Sequence, residues 1–432
     1  MITSVPHPPG FRPRRGVNWV FVGLLYTSFY MCRYNLSIAN GSISKEFGFS
    51  KGQMGNIITT ALLAYAFGQI INGLLADRIG GKRAMLIGAA GTIVMNILFG
   101  AASFWGLLSL FVLIRGVDGY FQAFGAPGMV KINAAWFRPT ERGTFAGIFG
   151  FMINLGRFGI FKLGPALLAG FVFLGLWRIP PLHWRWLFYA PAGIAFVIAM
   201  FVLFFVKDAP EQAGFPSVNP EEEEGGDVRA PVMVVFKTIV TNPVIWVVAF
   251  AYACTGSVRQ SLDQWFPRFM QEVHQVDLNS ARFQLLAFMI PVVASVGSLV
   301  SGVISDKIFR GRRAPVAAAL YFIETAVILA AAQFHSSEAA IFFLILISLT
   351  ANATHSILGT AAAMDIGGAK MAGFASGVID SFQYFGGSLA GVVLGSLLDR
   401  SWNWYFYFMA PFGIIGGCLM LSILGRVTLK KT

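Results

Sequence analysis

Runs of about 20 mainly apolar residues, each long enough to cross a bilayer as a helix, recur near 17–40, 53–75, 84–103, 106–135, 144–174 and 186–206. The stretch from Lys207 to Lys237, containing PEQAGFPSVNPEEEEGGDVRAP, interrupts them with Pro, Gly and Glu and reads as an exposed linker. The apolar pattern then resumes near 243–266, 283–304, 314–333, 339–363, 372–397 and 403–425. The expected fold is an all-α membrane protein with twelve transmembrane helices in two six-helix bundles. Residues 1–206 form the first bundle, 207–240 the linker and 241–432 the second.

The halves also resemble each other in detail. GLLADRIGGKR from Gly73 to Arg83 recurs as GVISDKIFRGRR from Gly302 to Arg313, which sets Asp77 opposite Asp306. GTFAGIFGFMINLGR from Gly143 matches GFASGVIDSFQYFGG from Gly373, with Gly147 on Gly377 and Gly156 on Gly386. Nearly the same offset carries Arg33 to Arg259, in the first helix of the second half. Two repeated, pseudo-symmetric halves with a site between them are a transporter architecture.

Composition agrees with the pattern and narrows the chemistry. The chain has 432 residues, 56% of them hydrophobic and 12% charged, with a mean hydropathy of +0.67, which excludes an ordinary soluble domain. Its Pro- and Arg-rich start leads directly into a full-length span, so the first helix is expected to be retained. Cys32, Cys254 and Cys418 lie far apart in apolar runs and give no disulfide framework or metal site. The net charge of +12 would suit nucleic acid, but the membrane accounts for it. With a cytoplasmic N-terminus, Lys and Arg concentrate in the inner loops and tails, which places both termini and the linker inside. The expected location is a bacterial inner membrane, with lipid and a small solute as partners and the monomer as the working unit.

Six basic residues remain within the spans: Arg33, Arg115, Lys131, Arg157, Lys162 and Arg259. Arg33 lies roughly 20 Å from either end of its helix, too deep to reach water easily. A central charge costs about 2.5–3.5 kcal/mol on insertion scales, so it implies a cavity or a partner, and a buried anion site is the first expectation. Tyr26, Tyr30 and Arg33 follow at spacings of four and three and share one helix face. Arg115 and Asp118, three apart, suit an ion pair with each other. Arg157 suits either a substrate contact or an internal ion pair. Arg259 has two candidate neutralising acids, Asp263 and Asp380. Lys131 and Lys162 are near enough to an interface to snorkel.

His355 and Asp380 are candidates to bind or release a proton during transport. Asp77, Arg78 and Asp306 sit where the chain turns at the inner face, and an Asp pairing there with Arg142 of RPTERG would make a conformational latch. The glycines at 119, 125, 156, 377 and 386 suit close helix packing. No P-loop, zinc-site or nucleophile-elbow pattern occurs, so neither an enzyme nor a cofactor is expected.

The loop G-x-L-x-D-R-x-G-x-K-R and its second copy closely resemble the signature of the major facilitator superfamily. Within it the chain is most similar to the organophosphate:phosphate antiporters, which carry glycerol and hexose phosphates. The resemblance rests on FYMCRYN, GYFQAFGAP, WFRPTERG, KDAPEQAGFP, VRQSLDQWFPRF, SDKIFRGRRAP and QYFGGSLAG, and covers nearly the whole chain. It implies that Arg33 and Arg259 hold the substrate phosphate, and that Tyr26, Tyr30, Tyr65 and Tyr384 line the pore. Two planar guanidiniums facing one cavity suit a tetrahedral dianion. The chain departs from the family pattern at Tyr34, Gln69 and Ile153, where relatives often carry basic groups; Arg157, one turn beyond Ile153, is a candidate replacement.

The leading expectation is transport of a small organophosphate in exchange for inorganic phosphate. Two alternatives stay open. YNLSIANGSISKEFGFSKGQMG also resembles the anion:cation symporters, which implies proton-coupled carboxylate uptake. The antiporter group also includes transporter-like sugar-phosphate sensors.

Overall fold

A computed structural model of the chain describes residues 7–138, 141–173, 175–218, 241–309, 312–362 and 377–424, without the side chains of 142–149, 173 and 360–362. The first half contains α1 (Phe11–Phe47), α2 (Lys51–Ile79), α3 (Gly81–Ala102), α4 (Leu108–Gln122), α5 (Gly125–Trp136), α6 (Arg142–Ala169) and α7 (Trp186–Phe205). The second contains α8 (Pro243–Glu272), α9 (Ala281–Val303), α10 (Arg313–Ala331), α11 (Ser337–Ser356), α12 (377–388), α13 (Val392–Arg400) and α14 (Trp404–Ser422). Much of the linker falls at 219–240, outside the described residues.

Among the described residues nine helices are long and apolar enough to cross a membrane. The predicted spans missing from those nine are α1, α8 and the α4–α5 pair. The first two are long enough, at 37 and 30 residues, but are diluted by buried polar side chains. In α1 these include Asn18, Arg33, Asn35 and Asn40, and in α8 Arg259, Gln260, Asp263, Gln264 and Arg268. A helix in lipid tolerates such residues where they face other helices, so the two least apolar segments are the two that belong at the centre. The outer helices carry the opposite pattern, with Phe67, Phe204 and Leu299 exposed.

Three local features depart from the expected spans. The run at 106–135 is two helices, interrupted at Ala123 and Phe124. The run at 144–174 stops being helical at Ala169, because Gly170 takes φ 79° and turns the chain into an antiparallel hairpin, β1 (Phe171–Phe173) with β2 (Trp177–Ile179). The last predicted residues of 283–304 and 339–363 lie in short π-helical turns, Ile304–Ile308 and Ile357–Ala362. Elsewhere local chemistry sets the ends as the sequence suggests. Ser50 and Gln53 form a reciprocal capping box at the start of α2.

The internal repeat is visible in backbone packing. A Cβ on Gly156 of α6 would lie 2.4 Å from the Thr27 carbonyl oxygen on α1, and one on Gly386 of α12 would lie 1.9 Å from that of Ala253 on α8. Thr27 is six residues before Arg33, and Ala253 is six before Arg259. Each half thus seats its arginine helix against an equivalent helix at an equivalent glycine.

Side-chain contacts join the halves at the far end of the helices, where α1 ends and α2 begins. There Asp399 of α13 accepts hydrogen bonds from the Lys51 and Gly52 backbone N–H groups of α2, at 2.6 and 2.8 Å. Thr59 donates to the Ser388 carbonyl at 2.7 Å. Arg268 donates to Asn40 at 2.7 Å and to Ser44 at 3.0 Å. Gly55, Gly391 and Gly395 let α2 and α13 approach backbone to backbone.

Candidate functional site

Among the described residues five arginines are buried: Arg33, Arg115, Arg157, Arg259 and Arg268. Three have carboxylate partners. Arg115 pairs with Asp118 at 2.7 Å, Arg268 with Glu272 at 2.5 Å, and Arg157 with Asp263. Arg33 and Arg259 have no described carboxylate within ion-pair distance, and each retains an N–H without a described partner: Nη2 on Arg33 and Nε on Arg259.

Arg33 is held by aromatic faces, one amide oxygen and one hydroxyl. Its guanidinium carbon lies 4.2 Å from the Tyr65 ring centre, 4.6 Å from Tyr30 and 5.8 Å from Tyr384, which is cation–π distance. Its Nε donates to Gln122 at 2.9 Å and its Nη1 to the Tyr384 hydroxyl at 3.1 Å. Gln122 in turn donates to Asp118 at 2.9 Å, so the Arg115–Asp118 pair fixes the amide that aims Arg33. Arg115 also donates to the Cys32 and Arg33 carbonyls. That pair is therefore structural, as its spacing suggests. Tyr26 packs edge-on against Tyr30 with ring centres 5.4 Å apart.

Arg259 is set differently. Its Nη1 lies 3.4 and 3.5 Å from the two ring nitrogens of His355. With its amide turned to satisfy both neighbours, Gln383 accepts from Arg259 Nη1 at 2.7 Å and donates to Asp380 at 3.3 Å. Asp380 also accepts from Gln69 at 3.0 Å, and Gln69 donates to the Tyr65 hydroxyl at 3.0 Å. The Tyr252 hydroxyl lies 2.5 Å from His355 Nδ1 and 3.5 Å from Asp380. A polar network thus runs from Arg259 through α12 to α2 and ends under Arg33.

The cavity beside Arg33, lined by Tyr65, Gln122 and Gln264 among others, holds about 20 Å³, room for one water and not for an organic anion. Admission of such a solute requires the Tyr384–Arg33 and Gln69–Asp380 contacts to separate. Cys32 adjoins Arg33 in sequence but is fully buried and is not among the residues that line this cavity.

Other expected residues fall elsewhere. Asp263 neutralises Arg157 and not Arg259, so in this arrangement Arg157 is an internal ion-pair partner and not a free cation. Asp77 is exposed and meets Lys131, whose ammonium also donates to the Asp77 carbonyl. The expected partner Arg142 has its side chain outside the described residues, and Arg78 is exposed. Asp306 pairs with Arg313 of its own half at 2.6 Å and makes no described contact with the first half. Gln122, Tyr252 and Gln383 were not singled out in the sequence. Helical spacing offered the signal: Gln122 is seven residues after Arg115, Tyr252 seven before Arg259, and Gln383 three after Asp380.

Partial burial would raise the Glu272 carboxyl, but Arg268, Trp402 and Lys51 outweigh it and hold Glu272 below the ordinary carboxylate range.

Comparison with known proteins adds an independent line. The model of the Major Facilitator Superfamily matches residues 22–391. The membrane sensor protein UhpC of Escherichia coli is 28% identical, over 95% of this chain and 92% of its own. The glycerol-3-phosphate transporter of Bacillus subtilis is 27% identical, over 95% and 91%. A probable hexose phosphate transport protein of Chlamydia trachomatis is 25% identical, over 90% and 86%. Among solved structures, a bacterial homologue of the human lysosomal transporter Spinster superposes with a TM-score of 0.76 at 17% identity, covering 96% of this chain and 97% of that one. At that identity the likeness concerns the fold.

Proposed function

Because this chain belongs to the Major Facilitator Superfamily and is a multi-pass membrane protein, we propose that it carries a small phosphorylated organic anion, such as a glycerol or sugar phosphate, in exchange for inorganic phosphate. The observation that carries this reading is that Arg33 and Arg259, alone among the five buried arginines, lack a described carboxylate partner. Each guanidinium has an N–H to offer to a phosphate oxygen. The named relatives point to the same substrate class.

Exchange follows from electrostatics. An unbalanced positive charge buried beside two arginines resists the closure of apolar helices around it, whereas a bound anion offsets the charge and lets the halves rock across it. Tyr30, Tyr65 and Tyr384 hold Arg33 in place between cycles through their faces. Tyr26 supports Tyr30. With both termini cytoplasmic, the Asp399, Arg268 and Thr59 contacts close the outer face of a bacterial inner-membrane carrier, which works as a monomer in two bundles, 1–206 and 241–432, joined by 207–240. The Asp77, Arg78 and Arg142 group and Asp306 act as inner-face latches when that side closes.

Proteoliposomes loaded with inorganic phosphate test the reading. Internal phosphate should drive counterflow of labelled external phosphate, and glycerol 3-phosphate or a hexose phosphate should compete. Uptake that needs only a proton gradient and a carboxylate would overturn it. The likeness to a membrane sensor supports a second reading, in which ligand binds at the same arginines without turnover; binding with no counterflow would establish that instead.

A further inference from the structure

Counting the charges around the site gives one positive charge, not two. Arg115 and Asp118 cancel, as do Arg157 and Asp263. Glu324, a further buried carboxyl, is not among the groups that act on Arg33, Arg259 or Asp380, so among the described residues that leaves Arg33 and Arg259 against the carboxylate of Asp380. Asp380 stands one side chain away from each: Gln383 bridges it to Arg259, and Gln69 with Tyr65 bridges it to Arg33. The groups facing it are Tyr26 and Arg33 on α1, Tyr65 and Gln69 on α2, Tyr252 and Arg259 on α8, and Gln383 and Tyr384 on its own helix, with His355 of α11 one contact further away behind Tyr252 and Arg259. No second carboxylate is among them. The Tyr252 hydroxyl lies between His355 Nδ1 and Asp380 Oδ1, and in the His355 tautomer that leaves Nδ1 unprotonated its one proton has two acceptors within reach.

We propose that Asp380 is the resident counter-anion of the site, and that a doubly charged phosphate enters together with one proton that Asp380 takes up. The inference rests on the phosphate reading given above and deepens it. A dianion bound while Asp380 stays ionised leaves the cavity one negative charge in excess, in surroundings where an unmatched charge is costly. With Asp380 protonated, two arginines meet one dianion and the charges match. The acid also changes from an acceptor to a donor, so its proton can satisfy the Tyr252 oxygen while the Tyr252 hydroxyl turns fully to His355. The carboxyl oxygen then gains an O–H bond, no other bond forms or breaks, and the proton comes from solvent. An exchange of two dianions returns the proton on the outward step, so the carrier cycles a proton with each phosphate it moves.

The test uses the full chain purified in detergent and inorganic phosphate at about pH 8, where phosphate is chiefly doubly charged. In weak buffer, phosphate should cause uptake of about one proton per site. Infrared difference spectra should show a protonated carboxyl band rising on phosphate addition. Asp380→Asn should abolish both signals while phosphate still binds, with an affinity that no longer weakens about tenfold per pH unit above that point. Asp380→Glu keeps the carboxyl and should keep both signals, which guards against a merely misfolded Asn variant. Phosphate binding with no proton uptake, or with uptake and carboxyl band unchanged in Asp380→Asn, overturns this inference and leaves the phosphate reading intact. No phosphate binding by the unmodified protein overturns both.

Discussion

Arg157 on α6 and Asp263 on α8 form an ion pair across the two halves, with both side chains completely buried. Asp263 is four residues from Arg259 on the same helix face, yet its charge is spent on the opposite half, and that leaves Arg259 without a carboxylate. Ser37 of α1 donates to the Asp263 carbonyl at 2.8 Å, so the same turn is tied twice to the first half. Removing one member strands a buried charge at a cost of about 3–5 kcal/mol, whereas replacing both with apolar residues is nearly neutral. Asp263→Leu should therefore lower the thermal unfolding midpoint in detergent markedly, and Arg157→Leu with Asp263→Leu should restore most of it. Equal loss in the single and double variants would remove the pair from this role.

Arg33→Lys and Arg259→Lys test the phosphate clamp. Lysine keeps the charge but loses the planar fork and the fit against Tyr30 and Tyr65. Each should weaken phosphate binding by about 10- to 100-fold while membrane insertion stays normal. Phosphate counterflow at wild-type rates in both variants would exclude these residues from the site.

The repeated glycines should be unequal. Gly156→Ala and Gly386→Ala each press a methyl into a carbonyl oxygen of the neighbouring arginine helix, and each should cost about 1–3 kcal/mol in a thermal unfolding comparison. Gly377→Ala meets nothing within 4 Å among the described residues and should be tolerated, although the sequence repeat marks it as strongly as the others.

The far-end closure should be sensitive to Asp399 and Glu272. Asp399→Ala removes the acceptor for two backbone N–H groups of α2, and Glu272→Gln removes the charge facing Arg268 and Lys51. Both should increase alkylation, from the far side, of a cysteine placed at Leu36 in a background lacking the native cysteines. Because Glu272 is held below the usual carboxylate range in the closed arrangement, its contribution is full above about pH 4.3 and fades as pH falls through the lowered value. The Glu272→Gln difference should shrink over that acidic range. A difference that persists unchanged there would show that the charge is not what matters.

Much of the architecture was legible because lipid imposes a simple rule: backbone must be satisfied within helices, and the helices facing lipid must be apolar. Spans, linker and repeat follow from that rule, and so does the prominence of Arg33. What the rule does not contain is the identity of partners. Arg157 had two readings and Arg259 two candidate acids, because helical spacing relates residues along one helix and says nothing about which helix lies opposite. The hairpin after Ala169 was equally hidden, since Phe171, Val172 and Phe173 are as apolar as a span and only the positive φ of Gly170 ends the helix there.

The sequence by itself determined that this is a membrane protein of two related helical halves with an arginine buried at the centre of each, because hydropathy, charge placement and internal repetition are properties of the chain order. Only the tertiary structure decided which of its buried arginines remain without a carboxylate. That depends on Asp118 and Asp263 meeting Arg115 and Arg157, and on Asp380 stopping one glutamine short of Arg259. Charge balance in a low-dielectric interior is settled between neighbours in space, and the free charge that makes an anion site is what remains after those pairings are made.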